Sequence, residues 1–141
     1  MIFVDSNVLI DVFAMDPKWA EWSKSALADA CGHDKIALNP IIVAEVASSF
    51  ETLDQCLAWL IPFDPEYLEL TNLAAFQGGK AFQSHRLRRR AGQETTKSVL
   101  PDFLIGGHAQ TLGATILTRD PRFYRAYFPN VPLITPSKDD Q

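Results

Sequence analysis

Cysteine is scarce in this chain: Cys31 and Cys56 stand far apart, with no CxxC pair and no histidine at ligand spacing, which excludes a zinc knuckle and a disulfide framework. No window approaches 18 uncharged apolar residues, so no membrane-spanning helix is predicted. The apolar start Met1 to Val4 is broken by Asp5 and carries no basic leader. A secretory signal is therefore not expected, and the chain is expected to be soluble and cytoplasmic with both thiols free. There is no GxSxG elbow and no GxxxxGK phosphate loop, which removes the commonest serine-hydrolase and nucleotide-triphosphate readings. His33, His85 and His108 lack metal-ligand spacing and read as surface or packing residues. Positive charge is not in excess either, at 13 Lys and Arg against 17 Asp and Glu, a net charge of -4.

What is present is an ordinary globular composition, 47% hydrophobic and 21% charged over 141 residues. A domain of this length buries roughly 70% of its unfolded surface and needs no metal or disulfide to hold it. Residues 1–136 are expected to form one domain and 137–141 a polar C-terminal tail. Short apolar runs alternate with helical patterns, which predicts an α/β fold with a central parallel sheet flanked by helices. Strands are expected at Ile2 to Val4, Ile36 to Leu38, Thr115 to Leu117 and Val131 to Ile134, with Ile61-Pro62-Phe63 as a brief extended edge. Helices are expected after Asp5-Ser6-Asn7, from Asp16-Pro17 to Gly32, after Asn39-Pro40, over Thr52 to Leu60, and from Pro65 to about Arg90 with a break possible at Gly78-Gly79. A polar connection over 91–96 precedes a helix from Leu100-Pro101-Asp102 to Gly113, and a short helix spans Arg122 to Tyr127.

Four acids stand out by position. Asp5 and Asp120 follow strands, Asp102 lies in the first turn of a helix, and Glu45 interrupts an otherwise apolar helix. Each has an ordinary alternative: helix cap for Asp5 and Asp120, dipole partner for Asp102, solvent-facing side chain for Glu45. In a parallel α/β sheet, however, strand ends and helix starts meet at one rim, where ligand crevices form. Carboxylates crowded there repel unless a cation neutralises them, and hard oxygen ligands of this kind suit Mg²⁺, with Mn²⁺ as the alternative ion.

The order Asp5-Ser6-Asn7, Glu45, Leu100-Pro101-Asp102-Phe103-Leu104-Ile105 and Thr118-Arg119-Asp120-Pro121-Arg122-Phe123 resembles that of PIN-domain ribonucleases, particularly VapC-type toxins, over nearly the whole chain. The resemblance makes Asp5, Glu45, Asp102 and Asp120 the catalytic and metal-binding acids, with Asn7 and Thr118 as supporting polar residues. It implies metal-dependent endonucleolytic hydrolysis of RNA, a cognate antitoxin and a homodimer. One departure is Gly106-Gly107-His108-Ala109, where family members more often carry alanines. Two alternative functions remain: a PIN-type RNA-processing nuclease without an antitoxin, and a noncatalytic metal- or protein-binding α/β regulatory module.

An acidic pocket in an acidic chain needs local positive charge to bind RNA. Residues 80–97 supply it: Lys80, Arg86, Arg88, Arg89, Arg90 and Lys97 against Glu94 give +5, while the rest of the chain carries -9. Arg86, Arg88, Arg89 and Arg90 are candidate RNA-binding residues, with Phe82 and His85 as candidate stacking surfaces. Trp19 and Trp22, at helical spacing, read as packing residues or as an interface.

Overall fold

The structure, a computed structural model, describes residues 1–94 and 98–141. The end of the predicted polar connection and Lys97 lie outside the described residues. Five parallel strands, β1 (Ile2–Val4), β2 (Ile36–Leu38), β3 (Glu66–Tyr67), β4 (Thr115–Leu117) and β5 (Leu133–Ile134), form one sheet in the order β3-β2-β1-β4-β5. Around it, among the described residues, lie α1 (Ser6–Phe13), α2 (Ala20–His33), α3 (Pro40–Val46), α4 (Leu53–Leu60), α5 (Asn72–Arg90), α6 (Leu100–Leu112) and α7 (Arg122–Tyr127).

The chain winds from β1 outward to β3, then crosses back to place β4 on the other side of β1. The switch point of the topology is therefore the β1–β4 pair, whose register Val4↔Leu117 brings Asp5 and Thr118 to the same rim. β1, β2 and the apolar part of β4 are buried on both faces, which is why these strands read as continuous apolar runs rather than as alternating ones. Phe3, Phe103, Ile116 and Phe128 fill the core between sheet and helices.

Local chemistry sets most of the boundaries. Asn39 caps α3 by accepting the Ile42 N–H at 2.9 Å, with Pro40 at the first helical position, and Gly113 ends α6 in the left-handed conformation at φ 62°. Three expectations are corrected. Asp16 accepts the Lys18 and Trp19 N–H groups in a turn, so α2 starts only at Ala20, and it runs past Gly32 to His33. Ile61-Pro62-Phe63 forms a 3-10 turn, and the edge strand is Glu66–Tyr67. α5 begins at Asn72 and continues unbroken through Gly78-Gly79.

That continuity has a packing cause. A Cβ on Gly78 would meet the Phe103 carbonyl oxygen at 2.5 Å, and one on Gly107 would meet the Ala74 carbonyl oxygen and the Gly78 nitrogen at 2.7 Å. The glycines let the α5 and α6 backbones touch, and Gly106 similarly seats the Phe128 ring.

Candidate active site at the sheet rim

Asp5 emerges from β1 into the N-cap position of α1, yet its side chain makes no capping bond. Its Oδ2 instead accepts the Thr118 hydroxyl at 3.0 Å and the Tyr124 hydroxyl at 3.0 Å. The capping alternative therefore does not hold for Asp5. Thr118, fully buried at the end of β4, accepts the Asp120 N–H at 3.1 Å and the Asn7 side-chain amide at 3.3 Å. Asn7 Oδ1 accepts the Arg119 N–H at 3.4 Å. Asn7 and Thr118 thus tie the start of α1 to the turn that carries Asp120.

Glu45 is half-buried on α3 rather than turned to solvent, and its Oε1 accepts the Ser6 hydroxyl at 3.2 Å. Asp102 is half-buried in the first turn of α6, after Pro101 at the helix start. Asp120 is exposed just beyond β4 and does not cap α7, whose N-cap residue is Pro121. Asp102 and Asp120 line one cleft of about 380 Å³, together with Glu94, Ser98, Arg122, Phe123, Ala126 and Tyr127.

Electrostatics joins all four acids. Burial pushes the Asp5 carboxyl up, against the pull of its hydrogen bonds, and the Asp120 charge adds to the rise. Burial also raises Glu45, reinforced by Asp5 and Asp102. Asp102 is pushed up to about 6 by burial, then by the charges of Asp5 and Asp120. Desolvation plus like-charge coupling is the pattern of a cleft that gains from an added cation.

The donor set fits a small hard cation. Among the described residues no three His, Cys, Asp or Glu side chains are set to encircle an ion by themselves. Mg²⁺ and Mn²⁺ do not demand that, since they keep waters and share their sphere with a substrate phosphate while binding one or two carboxylates.

The arginine run divides. Arg86, Arg89 and Arg90 are exposed and line one opening of about 300 Å³, and Arg86 and Arg89 also border a neighbouring groove with Phe82, Ser98 and Leu100. Arg88 turns the other way: half-buried, it lies over the Tyr127 ring at 5.4 Å and pairs with Glu94 at 4.0 Å. His85 is no stacking surface, because it is buried with both ring nitrogens engaged. Phe82 is half-buried and packs on Phe103 with ring centroids 5.2 Å apart.

Several site residues escaped sequence reasoning. Ser6 and Tyr124 bond acids 39 and 119 positions away, which no local pattern reveals. Asp11 was findable by the signal that marked Glu45, a carboxylate inside an apolar helix. It is buried on α1, where it accepts the Arg119 Nε–H at 2.7 Å and the Ser23 hydroxyl at 2.9 Å. That pair anchors the residue between Thr118 and Asp120, so the acid-bearing turn is held from both sides.

A parallel α/β domain that gathers carboxylates at its switch point belongs to the class of open-sheet domains whose ligand crevice lies at the C-terminal strand ends. The PIN domain model matches residues 2–129, and the chain belongs to the PIN domain family, whose members are nucleases. The fold is similar to that of a chain in VapBC2 from Rickettsia felis bound to a fragment of its promoter DNA, at 20% identity, covering 97% of this chain and 100% of that one, with a TM-score of 0.68. A toxin-antitoxin complex from Klebsiella pneumoniae matches at 20% identity over 97% and 98% of the two chains, with a TM-score of 0.69. FitAcB from Neisseria gonorrhoeae matches at 19% identity over 95% and 96%, with a TM-score of 0.65. No curated protein matches the sequence. No helix among the described residues is long and apolar enough to cross a membrane.

Proposed function

We propose that this chain is a Mg²⁺- or Mn²⁺-dependent endoribonuclease, the toxin of a toxin-antitoxin pair. The observation that carries the reading is the coupling of Asp5, Glu45, Asp102 and Asp120 at the switch point of a PIN fold. These four would hold the ion, one or two of them directly and the others through its waters. Bound there, it would supply positive charge to the phosphoryl oxygens and lower the pKa of water. Thr118 and Tyr124 fix the Asp5 carboxylate, Ser6 fixes Glu45, and the Asn7–Thr118–Asp120 chain of hydrogen bonds sets the rim turn. Arg122 places a positive charge in the same cleft, where a phosphodiester needs it.

The antitoxin is supported by a structural neighbour, the toxin-antitoxin complex from Klebsiella pneumoniae. Such a partner would keep the cleft inactive until released. The deciding experiment is cleavage of a mixed-sequence single-stranded RNA by purified, partner-free protein in EDTA, Mg²⁺ or Mn²⁺, beside an Asp102→Asn variant. Metal-dependent cleavage is expected in the wild type, with at least a hundredfold loss in the variant. Equal cleavage by both proteins would assign the activity to a contaminant.

A further inference from the structure

The proposed acids supply only acceptors when ionised, so a phosphodiester entering the cleft needs hydrogen-bond donors from elsewhere. One such donor is held by a buried histidine. His85, on α5, is 1% exposed, and its Nε2 accepts the Ser98 backbone N–H at 3.2 Å. An imidazole that accepts at Nε2 carries its proton at Nδ1. The Nδ1–H therefore donates to the Tyr127 hydroxyl oxygen at 2.6 Å. With an oxygen lone pair taken, the tyrosine uses its own O–H as a donor, and His85 is its one hydrogen-bond partner among the described residues. Tyr127 lines the same cleft as Asp102, Asp120 and Arg122.

The ring is also held. It meets His85 edge-on at 5.3 Å, packs on Phe103 at 5.1 Å and carries the Arg88 guanidinium 5.4 Å from its centre. Burial keeps His85 neutral by lowering its proton affinity, so the tautomer persists at neutral pH. The same burial, with Glu94 adding and Arg88 opposing, holds the Tyr127 phenol above its ordinary pKa and hence protonated.

We propose that Tyr127 is a substrate-binding residue whose hydroxyl donates a hydrogen bond to a phosphate oxygen of the RNA strand in the cleft, with His85 and the Ser98 N–H as its positioning groups. This rests on the ribonuclease reading above. Arg122 lines the same cleft, while the Arg88 charge over the Tyr127 ring is paired with Glu94, so Arg122 is the cation that accompanies the donor toward an anionic oxygen.

The test uses Tyr127→Phe, which keeps the ring and its stacking and removes only the hydroxyl. Binding of fluorescein-labelled mixed-sequence single-stranded RNA is measured by polarisation in Mg²⁺, in an Asp102→Asn background, beside Mn²⁺ binding in the unmutated background. The expected result is about a tenfold rise in the RNA Kd, the scale of one hydrogen bond to a charged acceptor, with Mn²⁺ affinity unchanged. His85→Gln should produce a loss only while Tyr127 is present, and ¹⁵N NMR of wild type should show His85 protonated at Nδ1. Should His85→Gln fail to fold, the Tyr127→Phe comparison decides alone. Unchanged RNA affinity in Tyr127→Phe, or a His85 proton on Nε2, overturns the assignment and leaves the nuclease reading standing. A wild type that neither binds nor cleaves RNA overturns both.

Discussion

Asp102 illustrates what a single side chain in this rim costs and gains. Its carboxyl is pushed up to about 6 in the folded protein, from 3.8 for the unperturbed group, because burial and two neighbouring charges oppose ionisation. Between those values the folded state binds more protons than the unfolded one, so this group's contribution to stability falls as pH rises through that window. Asparagine does not titrate. In EDTA, Asp102→Asn is expected to melt about 3 °C above wild type at pH 7.5, corresponding to roughly 1 kcal/mol after solvent screening. The advantage should shrink as pH falls through 6 and vanish near pH 4. Thermal melts of both proteins across this range test it, and a difference independent of pH would rule out the relief of charge. Added Mg²⁺ should raise the wild type more than the variant, since a ligand stabilises only the form that binds it. Comparing the two proteins removes His85 and His108, whose lowered proton affinity makes the fold less stable on acidification in both alike. The acids themselves were legible because a carboxylate after a strand or inside an apolar helix breaks a pattern. Their partners were not: Tyr124 sits in an aromatic stretch that reads as core, and only the fold reveals that its hydroxyl meets Asp5.

At the scale of elements, the α5–α6 pair carries the largest departure from sequence expectation. Gly78-Gly79 leaves a break possible and Gly106-Gly107 departs from the alanines expected there, because glycine disfavours helix by about 1 kcal/mol relative to alanine. Both helices are nonetheless continuous, since the missing side chains admit a backbone contact that no propensity contains. The consequence reaches the site, because α6 carries Asp102 in its first turn and α5 carries His85. Gly107→Ala would set a methyl 2.7 Å from two backbone atoms, which cannot yield as a side-chain tip can. We expect a net loss of about 1 to 3 kcal/mol, the overpacking penalty exceeding the propensity gain. Gly79→Ala meets nothing within 4 Å and should stabilise by about 0.5 to 1 kcal/mol. Urea unfolding of the two variants separates the cases, and stabilisation by Gly107→Ala would contradict the close approach. One cap, by contrast, was legible in detail: Asn39-Pro40 supplies the hydrogen bond its sequence promised, because a cap is satisfied within three residues, whereas Asp16-Pro17 makes only a turn before α2.

Over the whole molecule, strand alternation made a parallel sheet legible. Its order was not, because which side of β1 receives β4 depends on packing between distant segments. That choice creates the switch point, and with it the rim where acids from positions 5, 45, 102 and 120 meet. It also decides how an acidic protein could hold RNA. The chain carries -4 overall, and its exposed positive charge is concentrated at the C-terminal end of α5, where Arg86, Arg89 and Arg90 share an opening. Arg88 is turned inward onto Tyr127 and Glu94, so the four arginines are not equivalent. If Arg86 and Arg89 each neutralise one phosphate, removing both lowers the slope of log affinity against log salt by about 1.4, the single-strand value for two contacts. Arg86→Gln/Arg89→Gln in the Asp102→Asn background is expected to show this reduced slope and weaker RNA binding at low salt, converging on the parent as salt rises. Arg125→Gln removes an exposed positive charge from α7, outside those openings, and should leave the slope unchanged. Equal slope changes from both substitutions would mean that RNA senses only the net charge. A loss confined to Arg86 and Arg89 would trace the strand from the acidic rim toward the end of α5, along the path that Tyr127 begins.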